Sequence, residues 1–474
     1  MATQALSNVR GPDGNILGAA APGGGTPSGD GRLFIADLLK PMKGYWPAPD
    51  AVNGPILSDT GMVAGTPSPT GVTLYPFNSG VFNTQSQNWV TMPVGTWQNN
   101  SGFPACANAT TPRFTTWDVN EGLPQESNLD TGFVSDSPVV TIVYMHYVHY
   151  ETRQYHDMQL WAEDDTGAMK KITQLPKTGS TANGIAYRTI TFKEAREREF
   201  RLMLPWNCHF IGIYVGNLYT VRKSPNKLLI ATNGDSWNEP SGNVLQTPIG
   251  GGWPTGTYQT YGLSQAIAEA TGAAVILTAQ GGTGYFNVNN AARNEEYVMS
   301  LGGGSVFMSK SRMDFLAETF GDRYPLLWTI GGWNDGSLPP DPVRTTYAAR
   351  VTSGINRAVA AVAAATANAV NLQLLFSGIQ SVSITNGDDR YLANLGIQDA
   401  VASADPDNVI GFIDQIGMWP NTTMSGHRGN NVGPDTLHLH AKGADMVANW
   451  NLAAAKTKSI PADYYAGMLN WEAA

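Results

Sequence analysis

The feature that most constrains this chain is a change of pattern near residue 226. Beyond it, short and nearly unbroken apolar runs recur at residues 228–232, 274–277, 326–330, 372–376 and 409–413. A run of four or five apolar residues bounded by turn residues predicts a strand buried on both faces. Helical stretches fall between the runs. Leu263, Ile267 and Ala270 share a face within 258–271, and Tyr347, Val351, Ile355, Ala358 and Val362 repeat at helical spacing in a longer segment. A last helix is expected over 441–456. Strand and helix in alternation predict a parallel sheet covered on both faces, with its active site at the carboxyl ends of the strands.

Before residue 226 the pattern is β. Runs at 139–148, 158–162, 186–192, 200–204 and 210–215 are separated by Gly, Pro, Asn and Asp. That spacing predicts an all-β sandwich of jelly-roll type. Residues 1–30 are rich in Gly, Pro, Ala and Ser and read as a flexible arm, a possible attachment to a larger assembly. Three segments result: an arm over 1–30, a β-sandwich over 31–225 and an α/β domain over 226–474.

Composition narrows the partners. Charged residues make up 14% of the chain, against about a quarter in an average protein. The net charge is 29 − 38 = −9, and no Lys/Arg cluster exists to track a phosphate backbone, so nucleic acid is not expected. No run of about 20 apolar residues is present to span a membrane. The first residues lack the basic and apolar regions of a signal peptide, while the weakly charged, Gly-rich composition suits an extracellular or virion-associated setting. Cys106 and Cys208 are too few for a disulfide framework or a zinc cluster. One bridge or two separate thiols both remain open.

Four polar clusters follow the α/β elements: Asn233-Gly234-Asp235-Ser236, Gly281-Gly282-Thr283-Gly284, Gly331-Gly332-Trp333-Asn334-Asp335 and Asp435-Thr436-Leu437-His438. Acyl transfer needs an exposed hydroxyl with a base in reach, a group that holds the base in one tautomer, and donors facing the developing oxyanion. Ser236 sits at a strand-to-helix turn and supplies the hydroxyl. Asp435, three residues before His438, allows one loop to deliver carboxylate and imidazole together. The Ser236 and Gly284 backbone N–H groups and the Asn334 side-chain amide are candidate oxyanion donors, with Gly282 as the alternative glycine. Trp237 and Trp333 are candidates to line the substrate pocket. His427, His438 and His440 have no acidic or Cys partner at metal-ligand spacing, so neither metal nor cofactor is expected.

In order and spacing, the four clusters resemble the blocks of the SGNH (GDSL-type) hydrolases. The resemblance covers about 226–455. It implies a flavodoxin-like three-layer α/β/α domain with Ser236 as nucleophile, His438 as base, Asp435 as its orienter, and Gly284 and Asn334 as oxyanion donors. Trp237 after the serine and Trp333 beside Asn334 depart from many members. A β-sandwich ahead of such a domain resembles several carbohydrate esterases, which implies hydrolysis of a short acyl, most simply acetyl, ester on a polysaccharide or small acylated molecule. Trp46, Trp89, Trp97 and Trp117 would then offer sugar-stacking faces or fill the core. The rival readings are a lipase or thioesterase acting on longer chains, and a non-catalytic virion or surface glycan-binding protein.

Overall fold

The computed structural model describes residues 31–47, 54–63, 70–76, 79–84, 89–91, 106–108, 129–146, 159–172, 184–204, 208–225, 227–235, 238, 263–277, 283–287, 306–310, 312–313, 325–335, 342–365, 372–379, 389–415 and 441–469. Two compact units emerge. One holds the described residues up to Pro41 and those from 227 onward; the other holds the described residues between Met42 and Pro225.

The first unit is built on five parallel strands: β1 (Leu229–Gly234), β2 (Ala274–Leu277), β3 (Leu326–Ile330), β4 (Leu374–Ser377) and β5 (Val409–Ile413). Their order across the sheet is β2-β1-β3-β4-β5, every pair parallel. This is the flavodoxin-like order. All residues of β1, β3 and β4 are buried, which is why these segments read as continuous apolar runs. The helices are α1 (Leu263–Thr271), α2 (Val343–Ala365), α3 (Asp389–Ser403), α4 (Ala441–Ala455) and α5 (Ala462–Leu469). Tyr347, Val351, Ile355, Ala358 and Val362 are the buried stripe of α2, as their spacing predicts.

Residues 31–41 depart from the sequence reading. Arg32–Phe34 pairs antiparallel with Ser459–Pro461, and the Arg32 side chain donates to the Ser459 carbonyl at 2.8 Å. Ile35 and Leu38 are buried, and the Lys40 N–H donates to the Thr271 carbonyl at the end of α1. This segment therefore belongs to the α/β unit, and the boundary read at residue 31 moves to about residue 42. The arm read over 1–30 lies outside the described residues.

The second unit has two antiparallel sheets. Met169–Lys171, Gln159–Glu163, Arg198–Leu204, Leu129–Ser135 and Val221–Lys223 run in that order across one, with Asn83–Thr84 also paired to Leu129–Ser135. The other runs Ile56–Val63, Gly184–Thr191, Val139–His146, Cys208–Gly216, Cys106–Asn108 and Trp89–Thr91, with Val72–Pro76 also paired to Cys208–Gly216. Phe133, Leu160, Phe200 and Leu202 from the first sheet share one core with Val140, Ile142, Ile190, Phe210 and Ile213 from the second. Trp46 is part of that core and donates its indole N–H to the Ala162 carbonyl at 3.1 Å, so it offers no sugar-stacking face. Trp97 and Trp117 lie outside the described residues. Cys106 pairs opposite Phe210, on the strand next to the one that carries Cys208.

Candidate active site

The order of the sheet reverses at β1. The chain leaves β1 for β2 on one side, and β3 lies on the other, aligned so that Gly234 pairs with Ile330. Ligands of open α/β sheets bind outside the strand ends at such a switch point. Three of the four polar clusters follow the strands that meet here.

Asp235, directly after β1, is fully buried and accepts the Gly332 N–H at 3.2 Å. Gly331 and Gly332 hold φ of 123° and 120°, a region that L side chains avoid, and this path brings the backbone after β3 onto the carboxylate. Asn238 closes the other side. Its N–H donates to the Asp235 carbonyl at 3.0 Å, its Nδ2 donates to the Ile330 carbonyl at 2.8 Å, and its carbonyl accepts from Ser264 of α1 at 3.1 Å. The residues on both sides of the Ser236-Trp237 pair are thus tied to β3 and α1.

Asn334 is half-buried, and its Nδ2 donates one hydrogen to the Thr283 carbonyl at 3.1 Å. An amide nitrogen carries two hydrogens, so this bond fixes the side chain and leaves a second donor. Asp335, the next residue, is buried and anchors the loop after β2. It accepts the N–H groups of Tyr285, Phe286 and Asn287, each at 2.9 Å, and the Tyr347 hydroxyl at 2.7 Å. Burial pushes its carboxyl above the ordinary range, and these four hydrogen bonds pull against that shift. Burial also keeps the Tyr285 and Tyr347 hydroxyls protonated far above their ordinary range, and the Asp335 charge adds to it.

Gly284 does not fit the donor role expected of it. Its N–H already donates to the Asn287 carbonyl at 2.9 Å, and its carbonyl accepts from Phe307 at 2.8 Å. A glycine is required here for a packing reason, because a Cβ would collide with the Asp335 carboxylate. Gly282, the alternative, lies outside the described residues, as do Ser236, Trp237, Asp435 and His438. Trp333 is half-buried, and the Arg390 guanidinium at the start of α3 stacks 3.9 Å from its ring centroid. A cation therefore covers one face of this indole.

Sequence reasoning missed Arg312 altogether. This fully buried side chain donates to Asn233 Oδ1 at 2.8 Å, to the Gly234 carbonyl at 3.1 Å and to Thr283 Oγ1 at 2.8 Å. No motif surrounds it, and an isolated arginine in a sequence reads as surface charge. Asp335 was visible as part of its cluster, but nothing in the sequence pointed to its loop-anchoring bonds. Among the described residues, no group of three or more His, Cys, Asp or Glu side chains is arranged to hold a metal ion, and no helix is long and apolar enough to cross a membrane.

No protein-family model matches the sequence, and no curated protein does. Solved structures do. A salicylyl-acyltransferase, SsfX3, from a tetracycline biosynthetic pathway superposes with a TM-score of 0.50 at 11% identity, covering 81% of this chain and 98% of that one. The chain shares that fold. A family two carbohydrate esterase from Cellvibrio japonicus gives 0.46 at 11% identity, covering 84% of this chain and 98% of its own. One from Clostridium thermocellum, in complex with cellohexaose, gives 0.45 at 14% identity, covering 73% and 95%.

Proposed function

We propose that this chain is a serine esterase of SGNH type that hydrolyses short acyl esters, most simply acetyl, on a carbohydrate. Ser236 attacks the ester carbonyl while His438 takes its proton, and Asp435 holds the imidazole in the tautomer that accepts it. The Asn334 amide and the Ser236 N–H face the oxyanion, and Gly282 takes the glycine role first assigned to Gly284. His438 then protonates the departing alcohol. Water attacks the acyl-enzyme, and the acid leaves with Ser236 restored. The β unit, two antiparallel sheets over one core, is read as a jelly-roll-like sandwich.

The observation that carries this reading is the Asn334 amide. It is fixed by one hydrogen bond and keeps a second donor, beside the end of the strand that leads into Ser236. Such pre-set donors are what an oxyanion requires. Purified protein is expected to cleave a small chromogenic acetate, and Ser236→Ala to lower kcat by roughly 10³–10⁶-fold. A Ser236→Ala protein as active as its parent ends the proposal. A series of model esters of rising chain length separates a deacetylase from a lipase or thioesterase. Glycan retention without ester cleavage would instead point to a binding protein.

A further inference from the structure

The fully buried Arg312 lies 76 positions after Ser236 in the chain, yet it touches two of the loops that the esterase reading uses. Its Nη1 donates to the Asn233 side chain and to the Gly234 carbonyl, at the end of β1. Its Nη2 donates to Thr283 Oγ1, and the carbonyl of that same threonine accepts from Asn334. The Thr283 hydroxyl lies 3.5 Å from the Gly234 carbonyl, long for a hydrogen bond, so the guanidinium is the firmer link between the two segments. Phe307 packs with its ring centroid 5.5 Å from the guanidinium carbon, and the Arg312 N–H donates to Ser309 at 3.3 Å. Burying a guanidinium is costly, and stability alone favours an apolar side chain of similar volume at such a position. What an apolar side chain cannot do is make three directed bonds from one rigid fork.

We infer that Arg312 is a positioning residue, which sets the end of β1, two residues ahead of Ser236, through Asn233 and Gly234 and the Asn334 oxyanion donor through Thr283. The inference rests on the esterase reading. Displacing a reacting group by about 1 Å costs up to about 10²-fold in rate, and that is the scale of effect assigned to this network.

The test measures kcat and KM on a chromogenic acetate for Arg312→Met, Arg312→Lys, Thr283→Val and the Arg312→Met/Thr283→Val double variant. Each rate is divided by the concentration of sites titrated with a fluorophosphonate, so that unfolded protein does not count. Arg312→Met and Thr283→Val are each expected to lower kcat by roughly 10–10²-fold with KM changed less than about threefold. Arg312→Lys, which keeps the charge and part of the bonding, should recover part of the loss. The double variant should be no slower than the slower single one, because both substitutions cut the same link; independent effects would multiply. Should Arg312→Met fail to fold, Arg312→Lys and Thr283→Val decide together, since Thr283→Val removes the hydroxyl that accepts from Arg312 and lies near the Gly234 carbonyl but keeps the carbonyl that holds Asn334. Folded variants with parental kcat overturn this inference and leave the esterase reading intact. A parent protein without Ser236-dependent ester cleavage overturns both.

Discussion

Asn334 concentrates the residue-scale argument. Its amide is held by the Thr283 carbonyl, and its neighbour Asp335 gathers three backbone N–H groups and a tyrosine hydroxyl onto one buried carboxylate. The donor and the anchor of the facing loop are thus consecutive residues. Asn334→Ala is expected to lower kcat on an acetate ester by about 10²–10³-fold while leaving KM within a few-fold, because an oxyanion donor acts in the transition state. An unchanged kcat would remove Asn334 from the mechanism. The residue scale is also where the sequence was least legible. Asn334 is found because it stands in a cluster after an apolar run. Arg312 is not, because its partners Asn233, Gly234 and Thr283 come together only in three dimensions. Gly284 was misread for a related reason. Sequence shows a glycine in a turn-rich cluster, but not whether its N–H points into a site or its Cα makes room for a carboxylate.

Among the elements, the parallel strands were the most legible. Residues 274–277, 326–330 and 409–413 read as strands in sequence match β2, β3 and β5. In β3 every residue is buried, and burial on both faces leaves an unbroken apolar run that no turn or surface helix shares; β5 is read from its run although its three central residues are half-buried. Helix α3 left little to read. Its buried face is Ala393, Asn394, Gly396, Ile397 and Ala400, small residues around a single large apolar one, so it approaches α2 closely on a weak apolar stripe. A Cβ on Gly396 would collide with the Arg344 carbonyl and come within 2.7 Å of Tyr347 Cβ. The bidentate Arg344–Asp399 pair, at 2.5 and 2.7 Å, joins the same two helices at the surface. Gly396→Val is therefore expected to lower stability by about 1–3 kcal/mol in urea titration, although valine is the better helix former. A more stable variant would contradict this close packing.

At the scale of the whole molecule, the change of pattern at residue 226 separates a β region from an α/β region, but it does not show that residues 31–41 pack with the α/β region. The contact that decides it, Arg32–Phe34 against Ser459–Pro461, joins residues more than 400 positions apart and is only three residues long, too short and too distant to read from pattern. Stability against alkali belongs to this scale as well. Burial, with the neighbouring Tyr214 adding to it, pushes the Tyr187 hydroxyl up to about 12, and that hydroxyl has no hydrogen-bond partner among the described residues. An unfolded tyrosine loses its proton near pH 10. Between about pH 10 and 12 the folded state therefore binds more protons than the unfolded state, and stability falls as pH rises. Tyr187→Phe is expected to keep its stability near neutral pH and to show a shallower decline through that window; equal slopes for parent and variant would contradict the assignment. The central claim, that Ser236 is an acyl-transfer nucleophile, is tested most directly by trapping it. A fluorophosphonate should form a single adduct, with loss of fluoride, on the peptide containing Ser236, and ester cleavage should disappear in step with labelling. Full ester cleavage with Ser236 unlabelled would contradict the account.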